Sequence, residues 1–178
     1  MTQRQEFKVL RTYKDFEVRE YMPCVLAEVK VSADYASAGS IAFRSLFSYI
    51  AQGNSRAEKI AMTAPVIAAT QDTTIDDDQW IVSFVMPAGS TFSDLPDPND
   101  SRVVLRDLDT EICVATSFRG RADHEAAQKQ VAELRMAAAR ENITLSEETR
   151  ICRFDPPMKP GFMQYNEIVI PISKNHSE

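Results

Sequence analysis

Histidine is almost missing from this chain: His124 and His176 are the two among 178 residues. With no histidine pair and no carboxylate–histidine cluster, catalytic zinc and non-haem iron are poorly supported. Cysteine is sparse as well. Cys24, Cys113 and Cys152 are far apart and form no C-x-x-C, which argues against a structural zinc site. Each lies in a strand-like run, the usual place for a buried, inert thiol. No apolar run approaches the ~18 residues of a membrane-spanning helix. The polar start, Met1 to Glu6, has no apolar signal segment behind it, so a cytoplasmic protein is expected. No Gly-x-Ser-x-Gly, phosphate loop or G-x-G-x-x-G occurs. Lys and Arg number 20 against 26 Asp and Glu, a net charge of −6, and nothing concentrates the cations. Neither a nucleic acid nor an anionic membrane is an expected partner on that count.

What is present suits a soluble domain. Hydrophobic residues make up 44% and charged residues 26%. One domain over residues 1–178 is long enough to bury a real core. The stretch from Ile60 to Ala69 is apolar except for Thr63 and reads as a strand buried on both faces. Pro65 within it cannot donate to a ladder and marks an edge, bulge or bend. Met62 offers a flexible, polarisable side chain suited to an irregular pocket.

Around this stretch the pattern alternates between two periods. Phe7 to Tyr21 is rich in strand formers. Cys24 to Val31 alternates, with Val25, Ala27, Val29 and Val31 on one face. From Ser37 to Gln52 the period changes. Phe43, Leu46, Phe47 and Ile50 fall at i, i+3, i+4, i+7, the stripe of an amphipathic helix, which Gly53-Asn54 ends. Ile60–Ala69 and Trp80–Met86 follow as strands. Residues 87–101 form a proline-rich connector. Arg102–Leu108 and Ile112–Phe118 then read as strands. Asp123 to Asn142 reads as a helix with Asp123 as its N-cap, and Thr149–Phe154 and Asn166–Ile172 as two last strands. The order strand, strand, helix, strand, strand thus occurs twice, over about 6–86 and 102–172. The expected fold class is α+β: a distorted eight-stranded antiparallel β-barrel with two flanking helices, a pseudo-twofold duplication of a ββαββ unit.

Chemistry is harder to place. His176 lies in the polar tail, and His124 in the first turn of the second helix reads as a surface residue. Asp76-Asp77-Asp78 and Glu147-Glu148 sit in turns, where solvated charge is the default. The C-terminal block Phe154-Asp155-Pro156-Pro157-Met158-Lys159-Pro160-Gly161-Phe162 is more specific. A rigid, proline-dense loop there presents Met158 and Lys159, and suits the rim of a binding cleft.

Three segments in register, Met62-Thr63-Ala64-Pro65, Phe84-Val85-Met86-Pro87 with Leu95-Pro96-Asp97-Pro98, and Phe154 to Pro160 with Asn166-Glu167, resemble the signatures of the SOUL haem-binding protein family. The resemblance implies the barrel described above. It also implies a non-enzymatic binder of haem or other tetrapyrroles, with no catalytic and no metal-ligating residues of its own. The ligand is expected in an apolar cleft beside the first helix, against Phe47, Met62 and Met158, with basic groups near the propionates. Lys159 matches the family's loop lysine, and Arg44 is the candidate on the helix. The axial histidine of some members has no counterpart in this helix. A porphyrin burying ~400 Å² of apolar surface gains roughly 10 kcal/mol gross. Association costs about 4–15 kcal/mol, so weak-to-moderate affinity and little preference for haem over metal-free porphyrin are expected.

Three other readings are open. The chain resembles stand-alone bacterial effector-binding domains for small organic ligands. A tetrapyrrole-modifying or hydrolytic enzyme would need a buried acid or base, for which Glu167 is the candidate; the plainer reading is a carboxylate bonded to an arginine or to backbone N–H groups. The apolar first helix could also serve a protein partner.

Overall fold

The computed structural model describes residues 2–174. Its elements are β1 (Gln3–Arg4), β2 (Phe7–Thr12), β3 (Glu17–Tyr21), β4 (Cys24–Ser32), α1 (Tyr35–Ile50), β5 (Thr63–Ala64), β6 (Val66–Thr70), β7 (Gln79–Val85), β8 (Val104–Leu108), β9 (Glu111–Arg119), α2 (His124–Arg140), β10 (Thr149–Arg153), a single 3₁₀ turn (Gly161–Met163) and β11 (Tyr165–Pro171). Nine strands form one antiparallel sheet in the order β2-β3-β9-β11-β10-β6-β7-β4-β8; β1 and β5 form a separate parallel pair.

Omitting β2, the strand order has a symmetry. Exchanging β3 with β8, β4 with β9, β6 with β10 and β7 with β11 gives the same order read from the opposite edge. The centre lies between β6 and β10, where Ile67 faces Cys152 across the ladder. The ninth strand, β2, pairs with β3 at one edge. All six of its residues are exposed, and its register shifts between Val9 and Arg11. The curled sheet is a half-barrel ending in β2 and β8, which with its two helices fits the expected α+β barrel-like fold and adds a ninth strand.

Both faces of the sheet are apolar, for different reasons. Val25, Ala27, Val29 and Val31 of β4, Trp80, Val82 and Phe84 of β7, and Ile168 and Ile170 of β11 pack under the two helices. α1 contributes Ala38, Ala42, Leu46, Tyr49 and Ile50, and α2 contributes Ala127, Val131, Leu134 and Ala138. The opposite face curls on itself around Leu26, Ile67, Val85, Leu108, Ala115 and Val169. This second core buries Leu26, on the face of β4 opposite Val25, Ala27, Val29 and Val31.

Local chemistry sets the ends of the helices. Asp34 and Asp123 accept from the N–H groups of Ser37 and Ala126 at 2.9 and 2.8 Å, each satisfying an orphan donor. Beyond α1 the chain passes so close to Ser48 that a Cβ at Gly53 would stand 2.5 Å from its carbonyl oxygen. Asn54 locks the reversal by donating to the carbonyls of Tyr49 and Glu58. Asn142 ends α2 with φ +58°.

The Ile60–Ala69 run departs from expectation. It is not one strand buried throughout. Ala61 and Met62 are exposed, and Pro65, after a cis peptide, divides the run into β5 and β6. Lacking an N–H, Pro65 cannot extend a ladder. The proline-rich connector, by contrast, is firmly placed: Tyr49 Oη donates to the Pro96 carbonyl at 2.8 Å beneath the end of α1.

Candidate functional site

The apolar stripe read on α1 is wider than its contact with the sheet. Leu46 and Ile50 are buried, whereas Phe43 and Phe47 are 42% and 51% exposed. Gly39, Phe43 and Phe47 follow at i, i+4, i+8 and share one flank of the helix. The two phenyl rings stack with centroids 5.7 Å apart and planes 15° off parallel. Phe43 also meets Phe84 of β7 edge-on at 5.6 Å. Bare, stacked aromatics beside a core are an unusual expense of apolar area.

Strand register sets what faces this flank. Phe84 pairs with Val66, Val66 with Arg153, Arg153 with Asn166, and Asn166 with Phe118, a single row across five strands. Arg153 is half-buried in that row. Its Nη2 donates to Tyr35 Oη at 2.8 Å and to the Ala122 carbonyl at 3.2 Å, and its Cζ lies 5.1 Å from the Tyr35 ring centroid. No carboxylate of the described residues pairs with it. Its Nη1 points toward Gly39, where a side chain would begin 3.9 Å away. A guanidinium with only neutral partners, next to exposed rings, is a natural anion anchor. Sequence reading passed over Arg153, because an arginine ending a strand is ordinarily solvated; the available signal was its period-two step from the core residue Ile151.

Met62 is 39% exposed. Ile60 N–H donates to the Ile50 carbonyl at 2.8 Å, which lays Ile60–Met62 beside the last turn of α1, the turn of Phe47. Arg44 belongs to the other flank. It lines an open hollow of about 470 Å³ with Ser40, Ile41, Ser45 and Arg102. It is still an i, i+3 neighbour of Phe47, so it borders the aromatic patch without entering it.

Lys159 is already matched. Its Nζ is 2.9 Å from Asp155 Oδ1, while Asp155 Oδ2 accepts the Tyr165 N–H at 2.7 Å. The Tyr165 N–H and then Lys159 hold the Asp155 carboxyl below its usual range. The carboxylate expected opposite Lys159 is therefore the protein's own. Met158 on the same loop is 89% exposed.

Glu167 is no free acid. It is 3% exposed and ion-paired to Arg19, which also donates to Tyr21 Oη at 3.0 Å and to Glu17 at 2.8 Å. Burial raises its carboxyl above the usual range, with Arg19 opposing. His124 Nε2 lies 3.0 Å from Asp76 Oδ1, so its imidazole is engaged; His176 lies outside the described residues. Burial pushes the Cys113 thiol up to about 12 and the Cys152 thiol higher still, consistent with inert cysteines. Among the described residues, no group of three potential His, Cys, Asp or Glu metal ligands exists. None of the five predicted site residues borders the cavity of about 240 Å³ on the sheet's other face, which Leu26, Ile67, Leu108 and Arg106 help to line.

The family model described as SOUL heme-binding protein matches residues 2–171, nearly the whole chain. The chain belongs to that family. A relative of this SOUL chain is a protein named Heme-binding protein 1 from Xenopus laevis, 27% identical over 86% of the chain and 81% of the relative. Among solved structures, the C-terminal domain of EcmrR superposes with a TM-score of 0.70 at 11% identity, covering 94% of this chain and 98% of that one. A protein described as a hydrolase from Listeria innocua superposes at 0.61 with 15% identity, covering 92% and 94%. At such identities the two structures share the SOUL chain's fold, and that alone. No helix of the described residues is long and apolar enough to cross a membrane.

Proposed function

We propose that this SOUL protein binds haem or a related tetrapyrrole reversibly, without turning it over, on the flank of α1 that carries Phe43 and Phe47. The observation behind this reading is the exposed aromatic pair bordered by Arg153, whose guanidinium has no carboxylate partner among the described residues. The porphyrin would lie against Phe43, Phe47 and Met62. One propionate would meet Arg153 across the gap left by Gly39, and Arg44 would stand at the outer rim.

The protein's groups do three things in this reading. The phenyl rings and the Met62 thioether shed water onto a flat apolar ligand. Arg153 orients it by one charged end. The half-burial of Arg153 makes that pairing stronger than one made in open solvent. Among the described residues the one imidazole, that of His124, sits at the start of α2 with its Nε2 3.0 Å from Asp76 Oδ1. Iron, when present, is cargo, and metal-free porphyrin should bind about as well. Glu167, enclosed by Arg19 and Tyr21, supports a structural rather than an acid–base role. Titration of haemin and protoporphyrin IX tests the proposal. Similar affinities for both are expected. A sharp low-spin Soret change for haemin with no binding of the free porphyrin would overturn it.

A further inference from the structure

The loop joining β10 to β11 carries the barest large apolar side chains among the described residues. Met158 is 89% exposed and Phe162 79%, with Met163 at 45%. The loop is not loosely held. Lys159 and the Tyr165 N–H grip Asp155, and Gln164 Nε2 donates to the Lys159 carbonyl at 3.0 Å. Pro156, Pro157 and Pro160 restrict it further. Three arginines from two distant parts of the chain, the N-terminus and the end of β9, gather at its base. Arg4 Cζ lies 4.9 Å from the Phe154 ring centroid and 5.6 Å from that of Tyr165. Arg119 Cζ is also 5.6 Å from the Tyr165 ring. Arg121 Nε would be 3.5 Å from a Cβ on Gly161. None of the three forms an ion pair among the described residues, and the nearby Asp155 is taken by Lys159.

We propose that this loop docks the protein on the surface of an anionic lipid bilayer. Met158 and Phe162 enter the headgroup–acyl boundary, and Arg4, Arg119 and Arg121 meet the anionic headgroups behind them. A stable protein partner usually covers ~800 Å² of fairly flat, complementary surface. A narrow tip with a basic collar suits a soft interface better. The net charge of −6 opposes the approach only at long range, where salt screens it. The inference goes beyond the tetrapyrrole reading and stands without it.

The test is co-sedimentation of the ligand-free full chain with phosphatidylcholine vesicles, with and without about 30% phosphatidylserine, at ~50 mM salt. Binding is expected for the anionic vesicles alone, and should weaken as salt rises. Phe162→Ser, Met158→Ser and Arg121→Glu are each expected to lower it about tenfold. The serine sites are too exposed to disturb the fold, which circular dichroism checks for all three. Absence of binding to the anionic vesicles, or unchanged binding by the serine variants, overturns the proposal. So does a change in haemin affinity without one in vesicle binding, which would make the loop a lid. Dissociation of a dimer by the same substitutions, with no lipid binding, would make the tip a protein contact and also overturn it.

Discussion

Replacing Phe47 with alanine tests the α1 flank most directly. A phenylalanine side chain offers roughly 200 Å² in an extended chain, so 51% exposure leaves ~100 Å² for a ligand to cover. Complete coverage would be worth about 2.5 kcal/mol at ~25 cal/mol per Å². A flat ligand covers one side of the ring and alanine keeps part of the contact, so the loss is about 1–1.5 kcal/mol, or roughly tenfold in Kd. Phe43, at 42% exposure but held by Phe84, should lose somewhat less. Both rings are largely outside the core, so unfolding by urea should change by under ~1 kcal/mol for Phe47→Ala. The assay is porphyrin titration followed by Soret absorbance and by quenching of Trp80, the one tryptophan. Affinities within twofold of the parent for both variants would refute the placement of the ligand on this face.

Arg153→Gln should weaken protoporphyrin IX severalfold but leave its dimethyl ester unchanged, because the ester lacks the charge the guanidinium meets; equal losses for both in parallel titrations would remove Arg153 from the site. Lys159→Ala should change porphyrin affinity less than about twofold, since Lys159 already pairs with Asp155, and a tenfold loss in the same titration would restore the lysine as a ligand contact. Arg19→Met, which leaves Glu167 buried without its partner, should cost about 3–5 kcal/mol in urea unfolding, and the further change Glu167→Leu should recover much of it; no recovery would contradict the pairing. The Asp155 carboxyl is held below its unfolded value, so its contribution to stability is complete above ~4 and is lost as pH falls through the folded value; wild type and Asp155→Asn should therefore differ in Tm at neutral pH and converge on acidification.

Much of the architecture could be read from periodicity. The alternation of Val25, Ala27, Val29 and Val31, the change of period at α1, and Asp123 as the cap of α2 all depend on near neighbours, and all are found in the structure. Properties set by distant contacts were less legible. The stripe on α1 showed which residues were apolar, but the width of the sheet beneath decided that Phe43 and Phe47 stay outside. The Ile60–Met62 segment looked as greasy as any core strand, yet Pro65 severs it from the ladder. Lys159 is a local case: Asp155 stands only four positions before it, but spacing alone does not show that the proline-dense loop folds the carboxylate onto the amine. Arg153 gained its significance from Tyr35 and Gly39, more than a hundred positions earlier, and no local pattern could have supplied them. The arginine collar is of the same kind: Arg4, Arg119 and Arg121 are unremarkable until the fold gathers them.

The register shift in β2 works against edge-to-edge pairing with a second copy. An outermost strand with Val9 and Leu10 about half bare presents a row of main-chain donors and acceptors to any passing chain. The extra residue beside Val9 breaks the regular spacing of that row, and Lys8 and Arg11 bring like charges together if two such borders meet. Excising Leu10 would restore an even border, and concentrated solutions of that shortened chain should then form fibrils that bind thioflavin while the parent remains clear.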